Sequence, residues 1–170
     1  MKKSLILLFA AMLAFSASAF AQKTVKLGHI NSSDLMQIMP GKDSAQAAFE
    51  AEVKILDGEL KAMQDELEKK LADYKERKSQ MTELIRTTKE QELNDLNQRI
   101  QVYQQNAQKK LQEKEAELLQ PIIDRAKQAI SDVAKENGYT YIFDTSAGAV
   151  LYQQDSDDIL NLVKKKLGLK

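Results

Sequence analysis

The 170-residue chain has no cysteine, no tryptophan, two prolines, six glycines and one histidine. Without cysteine there are no disulfide staples and no thiolate metal sites, so packing or association must hold the fold together. A single histidine cannot assemble an imidazole metal centre, and His29 lies in a segment that reads as a strand, where a structural role is the simpler account. The few glycines are scattered, which leaves no phosphate loop and no dinucleotide turn. Asp155, Asp157 and Asp158 lack the remaining ligands and the glycine of a calcium loop, and they read better as a helix N-cap. The sequence therefore offers no catalytic centre, no cofactor and no metal site. Neither charge sign is in excess: 25 Lys and Arg stand against 25 Asp and Glu. Such a balance gives no general attraction for nucleic acid or anionic lipid, and the run Lys164-Lys165-Lys166 is too short to change that.

Long apolar runs are also missing, with one exception. Met1-Lys2-Lys3 is a basic start, Leu5 to Phe15 is apolar, and Ala19-Phe20-Ala21 has the small-x-small form of a cleavage site. We read residues 1–21 as a secretory signal peptide cut after Ala21; an uncleaved anchor is the alternative. The apolar run is short for a bilayer span. Cleavage would remove Lys2 and Lys3, leaving 23 basic residues against 25 acidic ones and a net charge of −2.

What is present is mostly helix-forming sequence. Thr24–Ile30 reads as a strand with Val25, Leu27 and His29 on one face, and Leu35–Met39 as a short helix ended by Pro40-Gly41. From Lys42 to Gln120 there is no proline and one glycine, Gly58, and acid-before-base pairs recur four residues apart. Phe49, Val53, Leu56, Leu60, Met63 and Leu67 follow a heptad seam, which resumes through Leu71, Tyr74, Lys78, Met81 and Ile85. Leu93, Leu96, Ile100, Tyr103 and Ala107 form a second seam. Each seam has one extra four-residue step, at Leu67–Leu71 and at Ala107–Leu111. A reversal near Thr87 would set the two irregular steps side by side, with Leu67 opposite Ala107 and Leu71 opposite Tyr103. Thr87 with Glu90 and Thr88 with Gln91 form overlapping capping boxes there. The expectation is an antiparallel hairpin with its tip at 85–90; one continuous helix is the alternative. Pro121 should kink the second arm or start a new helix, and Asn137-Gly138 should end it.

The remainder, Tyr139–Asp144 and Ala149–Gln153, reads as two strands around a loop, followed by a last helix with Ile159, Leu160, Val163 and Leu167 on its apolar face. Three short strands and two short helices are too small a unit to bury an adequate core alone. Val25, Leu27, Ile30, Tyr141, Phe143, Val150 and Leu151 are therefore assigned to an oligomerisation body shared between chains. The fold class is α+β, mostly α: a long antiparallel coiled-coil hairpin, residues 44–136, projecting from a small β-rich body, residues 22–43 and 137–170.

The order of these parts resembles the Skp (OmpH-like) periplasmic chaperones. The resemblance is carried by VKLGHINSSDLMQIMP, the charged helical hairpin, and GYTYIFDTSAGAVLYQQDSDDIL, and it covers the whole mature chain. It implies a homotrimer whose three tentacles enclose unfolded outer-membrane β-barrel proteins in the periplasm without using ATP. Well-known members are basic and this mature chain is slightly acidic, so no lipopolysaccharide or membrane site is transferred. A holdase needs weak, distributed apolar contact, and Met63, Met81, Leu84, Ile85 and Val102 are the candidate client-binding residues. The alternative is that these side chains widen the hairpin's own core. The competing class is a coiled-coil spacer or adaptor that binds one folded envelope partner. Irregular seams, the seam lysines Lys78 and Lys114 and an apolar tip favour the holdase.

Overall fold

The computed structural model describes residues 25–169; the expected signal peptide and its cleavage site at Ala21 lie outside the described residues. The order is β1 (Leu27–Ile30), α1 (Ser32–Ile38), α2 (Lys42–Arg77), a 3-10 turn (Lys78–Gln80), α3 (Glu83–Glu136), β2 (Tyr141–Asp144), a second 3-10 turn (Asp155–Asp157) and α4 (Leu160–Lys166). This is the α+β, mainly helical architecture read from the sequence.

The two strands pair in parallel, Leu27 beside Tyr141 and Ile30 beside Asp144. Parallel neighbours need a crossover between them, and here the crossover is the entire helical hairpin. Ala149–Gln153, read as a returning strand, is not one. Among the described residues it finds no ladder, and the chain rejoins the sheet at a bridge between His29 and Asp158, where the Ile159 N–H donates to the His29 carbonyl at 3.0 Å. Of the strand expected at Thr24–Ile30, the ladder takes Leu27–Ile30, preceded by one hydrogen bond from the Thr140 N–H to the Lys26 carbonyl at 2.7 Å; Thr24 lies outside the described residues.

α2 and α3 pack as the antiparallel hairpin. At ~1.5 Å per residue, the 36 residues of α2 extend roughly 54 Å and the 54 of α3 roughly 81 Å. The extra length of α3 is its base. Ile122, Ala126, Ala129 and Val133 are buried with Ile30, Leu35, Met39, Ala45, Ile159 and Val163, in a core built from both ends of the chain. Pro121 does not start a new helix; it is exposed within α3, where water can satisfy the carbonyl one turn back. The helix stops where Asn137-Gly138 requires it. Gly138 takes φ 71, and the Tyr139 N–H turns back to the Ala134 carbonyl at 2.9 Å.

The start of α1 is capped from two sides. Asn31 Oδ1 accepts from the Ser33 and Asp34 N–H groups at 3.0 and 3.2 Å. Asp144, at the end of β2, accepts from the Ser32 N–H at 3.1 Å and the Ser32 hydroxyl at 2.6 Å, and also from the Ser146 N–H at 2.9 Å. One carboxylate thus ties together β2, α1 and the following loop. Desolvation pushes its pKa up, but these hydrogen bonds outweigh that and hold the carboxyl at about 2, below its usual 3.8.

Candidate functional site

The tip lies earlier than the capping boxes suggest. The chain reverses through Lys78–Thr82: Arg77 ends α2, Lys78–Gln80 makes the 3-10 turn, and Met81 is extended. Thr82 is the N-cap of α3, its Oγ1 accepting from the Ile85 N–H at 3.4 Å. The tip expected at 85–90 is therefore corrected to 78–82. The Thr87 and Thr88 hydroxyls do not cap; they donate one turn back to the carbonyls of Glu83 and Leu84 at 3.0 and 2.9 Å. A threonine hydroxyl can be satisfied inside a helix as well as at its start, so the tandem did not mark the reversal.

The earlier turn shifts the arm register. Tyr103 faces Leu56 and Glu59, its hydroxyl donating to the Leu56 carbonyl at 3.2 Å and to the Glu59 carboxylate at 2.9 Å. It does not face Leu71, so the irregular steps of the two seams are not aligned. The seam passes from Leu67 to the buried Tyr74, and Leu71 is left exposed at its edge. Leu56, Tyr74, Leu96 and Ile100 are its buried members between the tip and the body.

Three polar links pin this register. Lys110 reaches Glu52 at 2.7 Å, and that carboxylate raises the lysine's pKa. Burial and the neighbouring Glu59 raise that of Tyr103. Near the tip, the Tyr74 hydroxyl donates to Glu90 and lowers the pKa of that carboxyl, helped by Lys78 at 3.7 Å and by Arg86. Lys78, read as a seam position, lies exposed over the Tyr74 ring, 5.3 Å from its centre.

The five candidate client-binding residues fall in two places. Leu84 is 78% exposed, Ile85 is exposed beside it, and Met81 is half-buried in the turn below. Met63 and Val102 lie midway along the arms and line one groove with Asp95, Gln98, Arg99, Tyr103 and Asn106. Met63 is partly covered by the seam while Val102 is exposed, as is Ile55 on the neighbouring arm.

The body carries a second exposed apolar surface. In the observed register Leu27, His29, Tyr141 and Phe143 share one sheet face, while Ile30 and Ile142 point to the core. Leu27 is 47% exposed, Tyr141 59% and Phe143 47%. Val25, Leu151 and Tyr152 are exposed too, Leu151 almost completely, and Val150 is half-buried in a groove with Phe143 and Tyr152. Tyr152 was not singled out in the sequence, although its place two residues after Val150 gave the signal. Ile30 differs from its companions, since it is buried inside its own protomer. His29 is also buried, with Nε2 at 2.9 Å from the Gln154 carbonyl. No cluster of three or more potential metal ligands occurs among the described residues.

These features define a class: proteins that present a long antiparallel coiled-coil arm from a small α+β body. Within it, the chain belongs to the OmpH-like outer membrane protein family, whose sequence model matches residues 26–167. It is similar to the chaperone protein Skp of Photorhabdus luminescens, 29% identical over 163 residues that cover 94% of each chain. The Skp of Pectobacterium atrosepticum is 26% identical over 155 residues, covering 91% of this chain and 93% of that one. The solved structure of an OmpH-like protein of Caulobacter crescentus shares the fold, with a TM-score of 0.72 at 15% identity over 84% of this chain and 83% of that one.

Proposed function

We propose that this protein is an ATP-independent periplasmic holdase that binds unfolded outer-membrane proteins and keeps them from aggregating. The observation that carries the reading is the apolar tip, with Leu84 and Ile85 exposed at the far end of an arm whose other side chains are mostly charged or amide. Covering one such side chain is worth about 1–3 kcal/mol. That is too little for a small ligand, and useful for a long chain that makes many contacts at once. The surroundings of Met81 and Met63 add adaptable side chains that tolerate variable partners. Membership of the OmpH-like family and similarity to Skp chaperones over nearly the whole length support the same reading. So does the sequence of residues 1–21, which has the form of an export signal.

The open sheet face supports self-association. Leu27, Tyr141 and Phe143 share an exposed sheet face, with Val150 and Tyr152 lining a groove beside Leu27 and Phe143, and a monomer would leave this apolar surface in water. A shared body, trimeric by the family resemblance, would cover it and array the arms around a common space.

The test dilutes a urea-unfolded outer-membrane barrel protein, without ATP, into buffer containing the protein or its Met81/Leu84/Ile85→Ser variant, and follows light scattering. Suppression by the parent, weakened in a variant of equal mass and helicity, is the expected result. A well-folded parent that leaves aggregation unchanged in molar excess would exclude the holdase.

A further inference from the structure

Along α3, opposite the seam, the residues at alternating steps of four and three are Asn94, Gln98, Gln101, Gln105, Gln108 and Gln112. All six are amides, and all six are exposed. The corresponding outer line of α2 carries Lys54, Lys61, Asp65 and Lys69, also exposed. From Leu96 to Gln108 the only charge on α3 is Arg99. One arm therefore has a charged outer surface, and the other has an uncharged line of groups that each donate and accept.

The amides of this line are also free. Elsewhere in the helices, Gln46, Gln91, Gln120 and Gln128 each donate to a carboxylate one turn on, at 2.7–2.8 Å. None of the six line residues has a carboxylate four positions ahead, and among the described residues none makes a side-chain hydrogen bond. Beside the line runs the groove of Met63 and Val102, and Gln98 belongs to both.

We infer that this amide line binds the backbone of an extended, unfolded polypeptide. The inference rests on the holdase reading and says what the middle of the arm recognises. An unfolded chain offers unpaired N–H and C=O groups whatever its sequence, and a side-chain amide, with a carbonyl oxygen and an NH2 group, is a neutral partner that satisfies either. Charged side chains in the same place would lose hydration when covered and would select clients by charge. From Asn94 to Gln112 the line runs about 27 Å, the reach of roughly eight extended residues. Where the line borders the groove, at Gln98, apolar side chains of such a segment would reach the exposed Val102. Amide contacts would thus hold the backbone while the groove takes apolar side chains of any shape.

The experiment crosses two proteins with two peptides, read by fluorescence anisotropy. The proteins are the parent and a Gln98/Gln101/Gln105/Gln108→Ala variant, a change that favours helix. The peptides are a labelled ten-residue chain alternating Thr and Leu between terminal lysines, and the same chain N-methylated at alternate residues. N-methylation removes backbone donors and leaves the side chains alone. The expected result is binding to the parent that weakens roughly tenfold on methylation and roughly tenfold on substitution, with little further loss when both are made. A variant that binds the peptide as tightly as the parent, or a methylation penalty equal in both proteins, overturns the inference. So does a variant whose only defect is weaker self-association, which would make the line a contact between copies. The urea-unfolded barrel protein serves as the second ligand. A parent that binds neither ligand refutes the holdase itself, whereas one that binds the barrel as tightly as the variant does refutes only the amide line.

Discussion

Asp144→Ala should destabilise the body, and the loss should depend on pH in a defined window. The carboxylate accepts from Ser32 twice and from Ser146, and these bonds hold its pKa at about 2. Against the usual 3.8, at about 1.4 kcal/mol per pH unit, the difference is worth roughly 2.5 kcal/mol. Asp144 is exposed, and solvent screening leaves about 1 kcal/mol of that. The sign follows from the depressed pKa: the ionised form is favoured in the folded state. The contribution is complete above about pH 4 and is lost as the pH falls through about 2. Urea unfolding followed by circular dichroism, at one fixed protein concentration, should show the variant less stable than the parent by about 1 kcal/mol at pH 7. The two curves should converge between pH 4 and pH 2. Equal stability at pH 7, or a difference that persists unchanged to pH 2, would refute this account of the clamp.

Two further substitutions test the body's packing. Ile159 is 0% exposed and joins the last helix to β1, so Ile159→Ala should cost about 2–5 kcal/mol, read as a lower urea midpoint. At Gly28 an added methyl would stand 2.9 Å from the Tyr139 ring and 3.0 Å from Ile142 Cδ1, so Gly28→Ala should cost about 1–3 kcal/mol and lower the melting temperature.

Much of this architecture was legible in the sequence because it rests on local signals. The seams follow from heptad spacing, and buried Leu56, Leu96 and Ile100 occupy positions that the spacing assigns. Asn137-Gly138 stops α3 because only one of the two residues must adopt a left-handed backbone, and it is the glycine. The tip was not legible. No glycine or proline marks Lys78–Thr82, and three nearby threonines offer equivalent hydroxyls, of which only Thr82 caps. The parallel pairing of β1 with β2 was hidden for a different reason. It depends on a crossover of more than a hundred residues, which no local pattern encodes. Val150, Leu151 and Tyr152 have strand-like composition, but alternation alone cannot supply a neighbouring edge, and among the described residues the segment has no strand partner. Of the candidate client-binding residues, Leu84, Ile85 and Val102 are exposed, while Met63 and Met81 are half covered, since apolar spacing does not tell a seam position from its edge. Leu71, counted into the seam, is released from it by the register that the earlier turn imposes.

The central claim is recognition of unfolded rather than folded outer-membrane protein, and one titration tests it most directly. A labelled β-barrel protein, either diluted from urea or folded beforehand in detergent micelles, is titrated with the purified protein in the same detergent-matched buffer without ATP. The account predicts saturable binding of the unfolded form and none of the folded barrel. Equal binding of both, or binding of the folded barrel alone, would contradict it and identify an adaptor for a folded partner.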